Sequence, residues 1–146
     1  MKRELKMINK LLNPGIHQQK IDYALLFLRI TIGVLMLTHG IGKFVQLLGN
    51  QPIQFADPIG IGETASLTLA VFAEVFCSIF LILGMATRLA IIPLFTTMVV
   101  AVLVVHSGDV FRVKEMALLY LAVFITIGIT GAGKISIDNL IYKKFN

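Results

Sequence analysis

Four long apolar runs constrain this chain more than any other feature. They fall at about residues 23–43, 64–85, 89–105 and 116–133. Each is close to the ~20 residues that a helix needs to cross a ~30 Å hydrocarbon core. The first is interrupted by Arg29 and His39, the second only by Glu74, and the other two carry no charge. Strands of a membrane barrel would instead alternate in segments of ~10 residues. The fold predicted is all-α, a four-helix transmembrane bundle over residues 21–146. Residues 1–20 form a separate basic segment, read either as an amphipathic helix or as a flexible tail. Composition excludes the alternatives. With 57% hydrophobic and 14% charged residues in 146, a water-soluble domain could not hide its apolar surface. The apolar fraction also excludes disorder, the absence of a glycine period excludes collagen, and the single Cys77 excludes a disulfide scaffold.

Loop charges set an expected orientation. Lys2, Arg3, Lys6, Lys10, Lys20, Arg88, Lys134, Lys143 and Lys144 fall on one side, and only Lys43, Arg112 and Lys114 on the other. Both termini are therefore expected in the cytoplasm, in a bacterial inner membrane. The net charge of +5 reads as a topology signal rather than as a nucleic-acid interface. Met1, Leu5, Ile8 and Leu12 share one helical face, as in a helix lying on the inner membrane surface. Residues 44–62 are too broken to span and too apolar for an ordinary solvated loop. They are expected to rest on the outer interface or to fold over the helix ends.

Two motifs imitate nucleotide chemistry and fail on context. Gly128, Gly133 and Lys134 resemble a phosphate loop, but Ile135 stands where a Ser or Thr should bind magnesium, and the stretch ends a helix. Gly60, Gly62 and Ala65 open a helix with no strand before them. Cys77 lies mid-span and reads as a small packing residue.

Ionisable groups inside a bilayer cost ~2.5–3.5 kcal/mol each on insertion scales and are usually paired or functional. Counting 1.5 Å per residue from the cytoplasmic ends of their runs puts Arg29 at about 9 Å and Glu74 at about 14 Å. A buried Arg29–Glu74 ion pair is the expectation, against an alternative in which Arg29 reaches the headgroups and Glu74 is protonated. The same counting puts His39 and His106 level, about 25–27 Å up. Lys43 lies one turn above His39. Glu115 clusters with Glu63 and Asp109 at that surface, and Tyr120 lies just over a turn below Glu115. His39, Lys43, His106, Glu115 and Tyr120 are thus the candidate lining of an outward-facing polar pocket. The alternative is a set of interfacial histidines satisfied by water. No further ligand-spaced motif accompanies the histidines, so no metal site is expected.

These residues carry a resemblance. Arg29, Gly33, His39-Gly40-x-x-Lys43, Ala73-Glu74, Leu83-Gly84 through Thr87-Arg88, Ala101 to His106, Glu115 to Leu118, and Gly131-x-Gly133-Lys134-x-Ser136-x-Asp138 follow the order and spacing of the DoxX family of small bacterial membrane proteins. The final motif usually carries Arg where this chain has Lys134. The resemblance implies a four-helix membrane bundle associated with redox processes, including quinone-linked ones. The resulting expectation is an inner-membrane protein with no intrinsic cofactor that binds a quinone or similar amphiphile. In that reading His39 and His106 exchange protons, and Lys43 stabilises charge on a ring oxygen. Its partners are the bilayer, a redox protein and a second copy of the chain, with no nucleic acid. The rival expectations are a non-catalytic assembly partner of a membrane complex and a small transporter.

Overall fold

The computed structural model describes residues 3–4 and 17–145. Four helices are long and apolar enough to cross a membrane: α1 (Gln18–Leu48), α2 (Glu63–Leu83), α3 (Thr87–Val105) and α4 (Phe111–Thr130). A short amphipathic helix, α5 (Ile137–Phe145), follows. The expected surface helix at the N-terminus lies outside the described residues. Helix α1 is longer than its apolar run because Gln18 to Asp22 and Phe44 to Leu48 continue the same helix. Residues 44–48, expected in the loop, therefore belong to α1, and the loop is confined to 49–62.

Tight links make α2 the antiparallel neighbour of α3, and α3 that of α4. Helix α4 closes the ring against α1. The shared core is built from Ile32, Met36, Leu81, Leu94, Phe124 and Ile127. Outside it the helices carry exposed apolar side chains such as Phe27, Leu89, Leu119 and Ile129, as expected of surfaces meeting lipid. Helices α1 and α2 approach closely because two glycines lie between them. A Cβ at Gly33 would lie 2.5 Å from Ile82 Cγ1, and one at Gly40 would lie 2.9 Å from the Cβ of Glu74. Small residues at such crossings let membrane helices pack backbone to backbone.

Two of the helices are irregular, and both irregular segments contribute to one cavity. The α-helical hydrogen bonding of α2 widens to a π-helical segment over Phe72–Cys77, which contains Glu74. Helix α3 does the same over Ala101–Val105, just before His106. Such π turns are rare and concentrate at functional sites. Helix α3 also contains Pro93, which removes one rung of its ladder.

The opposite end, carrying Gln18, Leu83 and Thr87, is tied by polar groups. Helix α2 stops at Gly84, whose φ of 66° allows the amides of Gly84 and Met85 to bond back to Leu81 O and Phe80 O. The Asp138 carboxylate accepts from the amides of Ala86 (2.7 Å) and Thr87 (3.0 Å), capping α3. Buried Asp22 accepts from the Lys134 amide at 3.0 Å. Together these contacts bind the segment after α4 to the first three helices.

Candidate functional site

Arg29 belongs to this knot. Its side chain is fully buried. Nη2 donates to Ile135 O at 2.6 Å and Nη1 to Leu81 O at 3.5 Å. The guanidinium fits because Gly84 has no side chain: a Cβ there would lie 1.9 Å from Nη1. It meets the C-terminus of α2, where unpaired carbonyls and the helix dipole favour a cation.

The expected Arg29–Glu74 pair is therefore not formed. Glu74 pairs with Lys43. The physical reason is register. The Gly40–Glu74 contact sets α1 against α2, so Glu74 lies level with Gly40 and Arg29 lies nearer Gly84. Lys43 is three residues beyond Gly40 and reaches down onto Glu74, which is 2% exposed. Counting depth from the ends of apolar runs misplaced Arg29, because the start of the α1 run is not level with the end of α2, where Arg29 meets Leu81 O and Gly84.

Lys43 and Glu74 stand in a cavity of about 420 Å³ between the four helices and the 49–62 loop. Met36, His39 and Lys43 line it from α1, and Ser66, Ala70 and Glu74 from α2. Helix α3 contributes Thr97, Ala101 and Val105, followed by His106, while α4 contributes Met116 and Tyr120. The structure thus brings His39, Lys43, His106 and Tyr120 to one cavity. Glu115 is exposed on α4 and is not among the lining residues.

The polar groups of the cavity are held individually. His39 meets the Tyr120 ring edge-on, with centroids 6.1 Å apart. His106 Nδ1 is 2.7 Å from Asp109 Oδ2, which orients the imidazole. Lys43 Nζ also lies over the Phe55 ring of the loop, 5.9 Å from its centroid. Glu74 Oε1 takes the ammonium, while Oε2 is buried with no hydrogen-bond partner. Leaving such an acceptor unsatisfied costs ~1–3 kcal/mol or more. Among the described residues no group of three or more His, Cys, Asp or Glu is placed to hold a metal ion.

The loop covers one end of the cavity through Phe55, Ala56, Pro58 and Ile59. Ile53 and Phe55 pack against Leu67, Val71 and Val75 of α2. Gln46 donates to Gln54 O at 2.9 Å. Asp57 accepts from the amides of Gly62 (2.8 Å) and Ile61 (3.0 Å) and from the Ser66 hydroxyl (2.8 Å), fastening the loop to the start of α2. The Gly62 amide, then the Ser66 hydroxyl, hold the Asp57 carboxyl below the usual carboxylate range.

Reading the sequence missed three parts of this site. The π segments leave no composition signal. The Asp57 cap was visible only as an acidic residue five before Gly62. The His106–Asp109 contact follows a spacing of three, but the sequence marks Asp109 only as one of several acidic residues near that surface.

The positions so assembled include many of those that carried the family resemblance, and the DoxX family model matches residues 24–107, more than half of the chain. The chain belongs to the DoxX family. An uncharacterized protein of Haemophilus influenzae is 34% identical over 129 residues, covering 84% of this chain and 93% of that protein. A Bacillus subtilis protein described as "Putative oxidoreductase CatD" is 26% identical over 123 residues, covering 84% of this chain and 90% of its own length. No solved structure matches. This DoxX protein is thus a multi-pass membrane protein. In it Arg29 and the terminal motif form the structural knot, while His39, Lys43, Glu74 and His106 meet around the cavity.

Proposed function

We propose that this DoxX protein binds a quinone-like ring in the cavity and exchanges protons with it, as a redox accessory of a bacterial inner membrane. The observation that carries this reading is the Lys43–Glu74 pair in a largely apolar cavity, with one carboxylate oxygen left without a partner. A buried pair with an open acceptor can take a hydrogen bond from a ligand hydroxyl. Its ammonium can donate to a ring carbonyl and favour negative charge developing there. The cavity falls within the ~300–1,000 Å³ range of small-molecule sites. The relative described as an oxidoreductase agrees with redox chemistry.

Reduction of a quinone consumes two electrons and two protons. The electrons come from a redox partner protein. The protons pass through His39 and the Asp109-held His106, which line the cavity. Glu74 serves as the ligand's acceptor and Lys43 as its donor. The bias of Lys and Arg toward the terminal side supports an outward-facing cavity.

The test is titration of a short-chain quinol, which carries the hydroxyl that Glu74 accepts from, into the protein in nanodiscs. Lys43→Met and Glu74→Gln should each weaken binding roughly ten- to a hundredfold, the equivalent of one lost hydrogen bond to a desolvated group. His39→Ala and His106→Ala should slow proton uptake on reduction. Unchanged affinity in both pair variants would overturn the reading. Quinone-free protein that co-purifies with a larger membrane complex would favour an assembly role.

A further inference from the structure

We propose that the cavity opens sideways into the bilayer between α2 and α3, and that its ligand therefore carries an apolar tail that lies through this slit. The ring-binding half of this statement rests on the function proposed above. The slit itself rests on packing.

Before Phe72, α2 leans on α1: Leu67 and Val71 pack with Leu37, Phe44 and Leu47. Helix α3 packs against the π segment of α2 and the half below it, and beyond that against α4. The two neighbours therefore part above the π segment, one staying with α1 and the other with α4. Leu69 on one bank and Thr96 on the other both line the cavity and are both exposed on the outer surface, Leu69 by 53%. Leu69 lies on the side of α2 away from its α1 contacts. Thr96 and Val100 lie on the side of α3 away from Ile91, which faces Gly128 of α4.

Contacts narrow two other sides of the cavity, while Val105 and Met116, also exposed, line it between α3 and α4. The His39 and Tyr120 rings meet where α1 faces α4. The loop, fastened by Asp57 and Gln46, covers the end.

The chemistry of the banks fits hydrocarbon. Thr96 Oγ1 donates to Ile92 O at 2.8 Å, and Thr97 Oγ1 to Pro93 O at 2.9 Å. Both hydroxyls are spent within α3. What remains at the slit is the side chains of Leu69 and Val100 and two threonine methyls, with no charge and no hydroxyl left undonated. The groups that recognise a polar ring, Lys43 and Glu74, stand deeper in the cavity. An ion or sugar would have to cross lipid to reach this opening, whereas a prenylated or alkylated ring already resides there.

The test uses full-length protein in nanodiscs with Ala70→Cys in a Cys77→Ser background. Ala70 lines the cavity and is 9% exposed. Two probes compete for the thiol: a long-chain alkyl maleimide held in the bilayer and a sulfonated maleimide held in water. The alkyl reagent should react faster, and Leu69→Trp with Thr96→Trp should slow it about tenfold. Both tryptophans replace lipid-exposed side chains, and Thr96→Trp alone serves if the pair does not fold. Faster reaction with the sulfonated reagent, or an alkyl rate unchanged by tryptophan, would overturn the slit. In a second arm, the tryptophan variant should lose affinity for a long-tailed quinone about tenfold and retain a tail-less one. Expected labelling of the Ala70→Cys protein, with neither quinone bound by the unaltered chain, would remove the ring reading and leave the slit standing.

Discussion

Glu74 has two cations within reach of a sequence-based guess, and a single glycine chooses between them. Because Gly40 lets α1 lie against the backbone at Glu74, the carboxylate faces Lys43 and not Arg29. Glu74→Gln should cost about 1.5–3 kcal/mol in a detergent melt, as expected for a charge-assisted hydrogen bond. Adding Lys43→Met should recover part of that loss, whereas Arg29→Met and Glu74→Gln should be additive, since the two side chains share no partner. Coupling between Arg29 and Glu74 would contradict the register. Gly84→Ala is the complementary test: it combines a positive φ, worth roughly 1–2 kcal/mol, with a collision against the Arg29 guanidinium. The charges themselves were legible as isolated polar residues in apolar runs. Their pairing was not, because a run's hydropathy ends before its helix does, and a one-turn error moves a side chain by ~5.4 Å.

At the scale of elements, the four spans were readable to within a few residues from hydropathy alone, since each is a continuous apolar run. Neither π segment was readable, because widening a helix by one residue per turn leaves the composition unchanged. Pro93 was a visible clue to irregularity in α3. The segment over Phe72–Cys77 makes a direct prediction. Deleting Phe76, which lies half exposed within it, should convert the π turn to α-helix while keeping the flanks in phase. The melt should stay cooperative, and ligand affinity should fall at least tenfold because Glu74 turns away from Lys43. The loop makes another. Its Asp57 carboxyl is held below its ordinary value of 3.8, so the contribution of its contacts is intact above about pH 4 and is lost as pH falls through the lowered value. Protection of the Ile61 and Gly62 amides from hydrogen exchange, relative to an unstructured chain at the same pH, should therefore be high at neutral pH and fall only in strong acid. Asp57→Ala should lower it at pH 7 as well. Fast exchange in the unaltered protein at pH 7 would show that the loop is not fastened.

For the molecule as a whole, the bundle separates two tasks by depth. One end is closed by Asp22, Arg29, Ser136 and Asp138, and the other holds the cavity and its loop. The charge asymmetry predicts which end faces the cytoplasm. Reporter fusions at Asn50 and Gly108 should read outside, and fusions after Arg88 and after Asn146 inside. A cytoplasmic reading at Asn50 would invert the molecule and bring the cavity to the reducing side of the membrane.

The Arg29–Ile135 contact also fixes an order in time. Arg29 enters the membrane with the first helix, but the carbonyl it needs lies 106 residues later in the chain. At about 5–20 residues per second, the arginine waits roughly 5–20 s for its partner. Until then the nascent protein carries a guanidinium without the carbonyl that takes its Nη2, so the closed end of the bundle is completed only by the last-made segment. A ribosome that stalls after α4 would yield four apolar helices and an arginine without that partner.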